Sequence, residues 1–413
     1  MKDYFFNSIW LVIAKGISFI IILIFQRYLP EGQYSSFILV YSLIIGIQSF
    51  AVTGLMSLLD RINAENSEQI NTDFSELMRT SLTLSVIIGL AFVIVARLSI
   101  INGILGVIVG VITVYSSIKG YGYRIRDEVN ISYKLSYIFP ALSLFMAGTM
   151  YFLIQNVSLF LLTWGALLFL LLLCSGNITY VRWRYEKSLF LMSLPFALIS
   201  LVSWLTGFGI NYFLSINNAS DKLNYFSVSF AFAGIVQLLV NSLRIVWLPK
   251  FLSSSTKIMF NEQRKNNFLF HRNQVILQFI LSIIFVSGLN ILNKFLNWFD
   301  EKELSVYITY TGFILGAYLF QSSWNYIVTN CFKELKIFRY TLSSSIVAIF
   351  AFALFVILYF KNIEIYYVYA IVFSLKTWLF GILVERKDKY FYRHYFLTIS
   401  FIIAFIVHIN YVL

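Results

Sequence analysis

Long apolar runs alternate with short polar segments along the whole chain. Twelve of these runs hold about 20 residues each, and an α-helix of that length crosses the ~30 Å hydrocarbon core of a bilayer. A further apolar run at 395–413 is long enough to span the membrane or to lie at its interface. The pattern predicts an all-α polytopic membrane protein with about 12 transmembrane helices and a candidate thirteenth. The predicted helices are residues 4–25, 34–58, 77–96, 101–118, 132–154, 157–180, 188–214, 223–248, 273–292, 304–329, 338–360 and 363–384.

The first pair of predicted helices is echoed halfway along the chain. A shift of 185 residues aligns four polar positions at helical spacing, and in both copies the first helix ends in an aromatic residue followed by leucine. Such a repeat predicts two pseudo-symmetric lobes around a central cavity. We assign 1–187 to the N-terminal lobe, 188–384 to the C-terminal lobe, and 385–413 to a cytoplasmic link with a last apolar segment. The aligned residues are Ser8, Lys15, Ser18 and Gln26 with Ser193, Ser200, Ser203 and Asn211.

The basic residues predict the orientation. With the N-terminus in the cytoplasm, the predicted inner segments carry 22 of the 31 Lys and Arg residues and the predicted outer segments carry six. Because cytoplasmic loops are enriched in Lys and Arg, this orientation is the expected one. The net charge of +12 is therefore mostly a topological signal and requires no nucleic-acid partner. Only 12% of residues are charged and the mean hydropathy is +0.80, which a soluble domain would not show.

Three cations, Lys15, Arg244 and Lys376, fall inside predicted helices, whereas all 19 acidic residues fall in predicted loops or at helix ends. A charge at the bilayer centre costs ~3 kcal/mol or more, so it faces a cavity or a partner. Lys15 would have to reach ~15 Å to the membrane surface, which favours a cavity. For Arg244, reaching the cytoplasmic surface remains an alternative, and for Lys376 a cation–π contact within the bundle does.

Neutral polar side chains extend the same helix faces. The six candidates for contacting a polar ligand are Ser18, Gln26, Ser200, Asn211, Gln237 and Asn241. Ser18 and Gln26 share the face of Lys15, and Ser200 and Asn211 occupy the positions of the repeat that correspond to Lys15 and Gln26. The last two form an i, i+4, i+7 stripe with Arg244.

Signatures of enzyme chemistry are missing from the sequence. It contains no Walker loop and no His-Glu-x-x-His motif, and its three histidines and two cysteines have no metal-ligand spacing. The predicted outer loops are short and carry no separated pair of carboxylates for acid–base work. We therefore expect no catalytic residues, no metal and no cofactor.

Short segments in two parts of the chain carry a family resemblance. The entry hairpin holds Asn7-Ser8-Ile9-Trp10, Lys15, Arg27-Tyr28-Leu29-Pro30-Glu31, Gln33-Tyr34-Ser35, Gly54-Leu55 and Asp60-Arg61, and the middle of the chain holds Ser193-Leu194-Pro195, Tyr225-Phe226-Ser227 and Leu248-Pro249. On these segments the entry hairpin resembles that of the polysaccharide-biosynthesis (Wzx-type O-antigen) flippases of the multidrug/oligosaccharidyl-lipid/polysaccharide exporter superfamily, and the middle of the chain resembles the second lobe of that family. Three positions depart from the family pattern: Pro30 and Ser35 stand where it often has glycine, and Ile210-Asn211-Tyr212 stands where it often has an Asp-Arg pair.

The resemblance implies a flippase that moves an undecaprenyl-pyrophosphate-linked oligosaccharide from the inner to the outer leaflet of the bacterial inner membrane by alternating access. Lys15, Arg244 and Lys376 would then bind the pyrophosphate, and the six polar residues would contact sugar. Membrane lipids and the polysaccharide polymerase machinery are the expected partners. Two alternatives stay open: a multidrug exporter of the same superfamily, and a membrane-embedded glycosyltransferase or polymerase.

Overall fold

The computed structural model describes residues 2–49, 51, 70–96, 99–125, 128–176, 204, 207–253, 260–333, 337–386 and 388–412. These residues are helical apart from short turns, and no β-strand occurs among them. Chain contacts divide the protein into two compact units, residues 1–224 and 225–413. The predicted lobes, 1–187 and 188–384, were assigned from the sequence repeat rather than from contacts. The units do not test that assignment, which stays a prediction.

Nine helices in the described ranges are long and apolar enough to cross a membrane, and two shorter apolar helices lie at 16–28 and 78–94. Their outward faces carry large apolar residues such as Ile94, Leu153 and Phe295. Such a surface suits hydrocarbon, because a helix in lipid satisfies its own backbone and needs no polar exterior. The chain is thus an all-α polytopic membrane protein.

Unit 1 contains α1 (Lys2–Tyr28), α2 (Glu31–Gln48), α3 (Ile70–Ala96), α4 (Ile100–Ile125), α5 (Val129–Tyr133), a π-helical turn (Lys134–Ile138), α6 (Phe139–Ile154), α7 (Val157–Cys174) and α8 (Phe208–Ile216). Aromatic rings join α1, α2, α6 and α7. Phe37 lies 4.7 Å from Phe25, 6.1 Å from Tyr151 and 5.5 Å from Phe160, measured between ring centroids.

Two local sequences explain how α5, α6 and α7 connect. Pro140 is the second residue after the π-helical turn; proline has no N–H to donate within a helix, and the wider turn before it accommodates this. At the other end Gln155 adopts φ 54° and ends α6, while the Asn156 side chain accepts a hydrogen bond from the Leu159 N–H. That cap starts α7 at once.

The helix α9 (Ser220–Ser253) begins at the end of unit 1 and belongs to unit 2 from Tyr225 onward. The other helices of unit 2 are α10 (Phe260–Leu296), α11 (Glu301–Lys333), α12 (Ile337–Phe360), α13 (Ile365–Glu385) and α14 (Lys389–Val412). The helix α14 packs against α10 and α11 and has the length and composition of a membrane span. The last apolar run is therefore a packed helix that begins six residues before its predicted start.

The prediction for the start of α10 was wrong. The sequence pattern predicts a helix from residue 273 and a loop over 250–272 before it, yet α10 begins at Phe260. The segment 260–272 is too polar to register as a membrane run, but its inward face carries Asn267 and His271, which are buried. Contacts with α11 hold it as helix: Asn267 Nδ2 donates to the Tyr326 carbonyl (3.0 Å) and to Asn330 Oδ1 (2.7 Å).

Candidate functional site

Lys376 lies in the middle of α13 and is 2% exposed. Its Nζ is 4.0 Å from the ring centroid of Phe373 and 5.0 Å from that of Trp324 on α11. The cation–π contact that the sequence offered as an alternative explanation is therefore present, and it stabilises a desolvated ammonium by up to ~2 kcal/mol. This contact leaves the proposed role in binding pyrophosphate as a prediction.

Further aromatic residues surround this lysine. Trp324 stacks on Phe380 at 4.0 Å, and Phe373 lies 5.6 Å from Tyr369. Three of the rings, those of Tyr369, Phe373 and Phe380, lie seven, three and four residues from Lys376 along α13 and therefore share its face. The arrangement gives unit 2 a buried cation within aromatic walls, which is a combination that suits an anionic group attached to sugars.

Gln237 and Asn241 on α9 are brought together as their spacing predicted. Gln237 Nε2 donates to Asn241 Oδ1 at 3.5 Å, and both side chains are partly buried. Gln237 Oε1 has no hydrogen-bond partner within the described ranges. This pair therefore retains polar atoms for another group.

In unit 1, Ser18 on α1 lies within hydrogen-bonding reach of the Tyr41 hydroxyl on α2, and Gln26 is half-buried near the end of α1. Asn211 on α8 is 2% exposed, and its Oδ1 has no partner among the residues that the structure describes. These three stay candidates for polar ligand contacts.

The remaining predicted residues cannot be placed at the level of side chains. Lys15 belongs to α1 and Arg244 to α9, but their side chains lie outside the described part of the protein, as does the whole of Ser200. A shared cationic site of Lys15, Arg244 and Lys376 therefore stays a prediction.

Sequence reasoning missed an ion-pair cluster at the link between α13 and α14. Arg264 on α10 bonds Glu385 Oε2 and Asp388 Oδ2, both at 3.1 Å. The Tyr326 hydroxyl donates to Asp388 Oδ2 at 2.6 Å, and the Tyr390 N–H donates to Oδ1 at 2.8 Å. Both acids were expected at helix ends and are found there, but their carboxylates are buried by α10 and α11 rather than solvated.

Buried histidines next to this cluster were missed as well. A 2.7 Å hydrogen bond joins Nδ1 of His394 on α14 to Ser323 Oγ, and the His394 ring lies nearly parallel to that of Tyr326. His271 on α10 bonds Gln274 through Nδ1 at 2.8 Å. A signal existed in the sequence: polar residues 264, 267, 271 and 274 share one helical face. Within the described ranges, no group of three or more His, Cys, Asp or Glu could hold a metal ion.

No family model matches the chain, and no curated protein matches its sequence significantly. Solved structures do match its fold. The MATE multidrug transporter DinF-BH is 15% identical, with 95% of this chain and 96% of that chain covered at a TM-score of 0.60. The eukaryotic MATE transporter AtDTX14 is 12% identical, with 97% and 99% covered at a TM-score of 0.53. The chain therefore has the fold of MATE transporters, and the predicted fold class is confirmed.

Proposed function

We propose that this protein is a transporter, rather than an enzyme, that flips an undecaprenyl-pyrophosphate-linked oligosaccharide across the bacterial inner membrane. The N-terminus would face the cytoplasm. The fold shared with MATE transporters supports a transport function, and the residues inside the helices support an anionic, sugar-bearing substrate.

The buried cation Lys376 carries this proposal. Its ammonium lies at mid-helix among aromatic rings, and no acidic residue of the described helices occupies a mid-helix position. A pyrophosphate forms strong charge-assisted hydrogen bonds with such a cation, whereas a cationic drug would be repelled by it. The oligosaccharide would contact aromatic faces and amides, while the lipid tail stays in the bilayer.

A multidrug exporter is the second candidate, because the matched structure DinF-BH is a multidrug transporter. The two functions need side chains of different charge inside the membrane. A carrier of organic cations needs negative or neutral contacts in the membrane, so replacing Lys376 by a neutral residue would preserve or improve its transport.

Surface polysaccharide in cells whose own copy of the gene is deleted provides the test. We expect Lys376→Met to reduce export at least about tenfold, equivalent to ~1.4 kcal/mol of lost stabilisation, and Lys376→Arg to retain part of it. Lys294→Met is the matched control, since Lys294 is an exposed lysine of the same unit. Normal export in Lys376→Met at normal protein levels would refute the role of this cation, and drug sensitivity with normal polysaccharide would favour the exporter.

A further inference from the structure

One face of α10 carries four buried polar side chains. His271, Gln274, Gln278 and Ser282 follow one another at steps of three, four and four residues, which keeps them on one side of a helix. Each is at most 3% exposed. A polar stripe of this length inside a membrane bundle is costly, so the way in which each group is satisfied is informative.

The two halves of the stripe differ. Gln274 is satisfied at both ends, with Oε1 2.8 Å from His271 Nδ1 and Nε2 3.4 Å from the Val240 carbonyl. Gln278, one turn further on, has no hydrogen-bond partner for either Oε1 or Nε2 in the described ranges, and Ser282 Oγ has none there either. Burying such groups unpaired costs ~1–3 kcal/mol each, so helix association alone does not explain them.

Contacts between α9 and α10 set the level of Gln237 relative to this half of the stripe. The rings of Trp247 and Phe270 stack at 3.9 Å, and those of Phe232 and Phe285 lie 6.0 Å apart. These two pairs define an antiparallel register in which Gln237 is level with the turn between 278 and 282. Gln237 Oε1 is likewise buried with no partner among the described residues.

Contacts between α10 and α11 add a hydroxyl at the same level. Asn267 bonds the Tyr326 carbonyl, and Ser322 Oγ donates to the His271 carbonyl at 3.0 Å. The antiparallel register set by these two bonds puts residue 311 level with residue 282. Thr311 is fully buried, and its Oγ1 has no partner in the part of the chain that the structure describes.

We propose that Gln278, Ser282 and Thr311, together with Gln237, form a subsite in unit 2 for the sugar hydroxyls of the transported headgroup. This inference rests on the proposed function and adds three residues to it. All four side chains are neutral, and amides and hydroxyls both donate and accept hydrogen bonds. That chemistry matches sugar hydroxyls, which also do both.

The subsite makes a prediction that a purely structural role does not. Gln278→Leu removes an unpaired buried amide, so it should leave the melting temperature unchanged or higher. Gln274→Leu is the matched control on the same face, and it should lower the melting temperature because it removes the partner of His271 Nδ1. A lower melting temperature for Gln278→Leu than for Gln274→Leu would overturn the inference.

Ligand-induced thermal stabilisation of the purified protein in nanodiscs then tests binding. The probes are undecaprenyl diphosphate without sugar and the lipid-linked oligosaccharide fraction extracted from the producing cells. For the wild type we expect at least about tenfold tighter half-saturation with the sugar-bearing lipid. Gln278→Leu should lose this preference and keep the response to the sugar-free lipid.

The outcomes separate the two proposals. An undiminished sugar preference in Gln278→Leu, and also in Ser282→Ala combined with Thr311→Val, would overturn the subsite while the flippase function stands. If Gln278→Leu fails to fold, the Ser282→Ala/Thr311→Val double variant tests the subsite in its place. If neither lipid stabilises the wild-type protein, the flippase function is contradicted and the sugar subsite with it.

Discussion

The ion-pair cluster between α10 and the α13–α14 link is predicted to hold the last helix in place. Arg264 bonds two carboxylates at 3.1 Å, and its side chain is 13% exposed while those of Glu385 and Asp388 are 4% and 2% exposed. Removing one member of a buried ion pair costs ~3–5 kcal/mol, because the remaining charge stays buried. Tyr326 and the Tyr390 N–H still donate to Asp388, so we expect Arg264→Ala to lose about 3 kcal/mol.

Equilibrium unfolding in mixed detergent micelles measures this loss. Lys265→Ala is the control, since the neighbouring lysine on the same helix is exposed, and its free energy of unfolding should change by less than ~0.5 kcal/mol. The double variant Arg264→Ala/Glu385→Gln should lose less than the two single variants together, because the second change removes a carboxylate that the first one stranded.

A small effect would refute this reasoning. If Arg264→Ala unfolds within ~1 kcal/mol of the wild type, the pair contributes no more than an exposed salt bridge. Additive losses in the double variant would likewise show that the two side chains are not energetically coupled.

Two further predictions concern close packing in each unit. Gly381→Ala places a Cβ against the ring of Phe391, so the free energy of unfolding in detergent micelles should fall by about 1–3 kcal/mol. Adding Phe391→Leu to the same chain should restore part of that loss. Trp204→Phe removes the 2.9 Å hydrogen bond from Nε1 to the Ser42 carbonyl; we expect a loss of ~1 kcal/mol, detected by thermal unfolding, and no loss would show that this bond contributes nothing to unit 1.

The helices were predictable because lipid imposes a strong local rule. A segment that crosses hydrocarbon must bond its own backbone and present apolar side chains for about 20 residues, and α13 and α14 follow that rule. The segment 260–272 does not, because it extends past the apolar run and is stabilised as helix by Asn267 and its bonds to α11. Local hydropathy contains no information about such a partner.

The polar interior was predictable in part. Hydropathy placed Lys376 inside a helix, and periodicity put Gln237 and Asn241 on one face, because both follow from the sequence of a single helix. The contacts of Arg264 with Glu385 join residues 121 positions apart, and those of Ser323 with His394 join residues 71 apart. No helical period links such positions, so only the packing of α10, α11 and α14 could reveal them.

Transport by the reconstituted protein distinguishes a lipid-linked oligosaccharide flippase from an exporter of organic cations. Purified protein in liposomes, loaded with the lipid-linked oligosaccharide fraction, is assayed for the rate at which inner-leaflet sugar becomes accessible to a lectin outside. We expect protein-dependent exposure that Lys376→Met slows at least about tenfold while Lys294→Met does not, a difference of ~1.4 kcal/mol in barrier height. Exposure at the protein-free rate, from folded protein that still transports an organic cation, would contradict the flippase function.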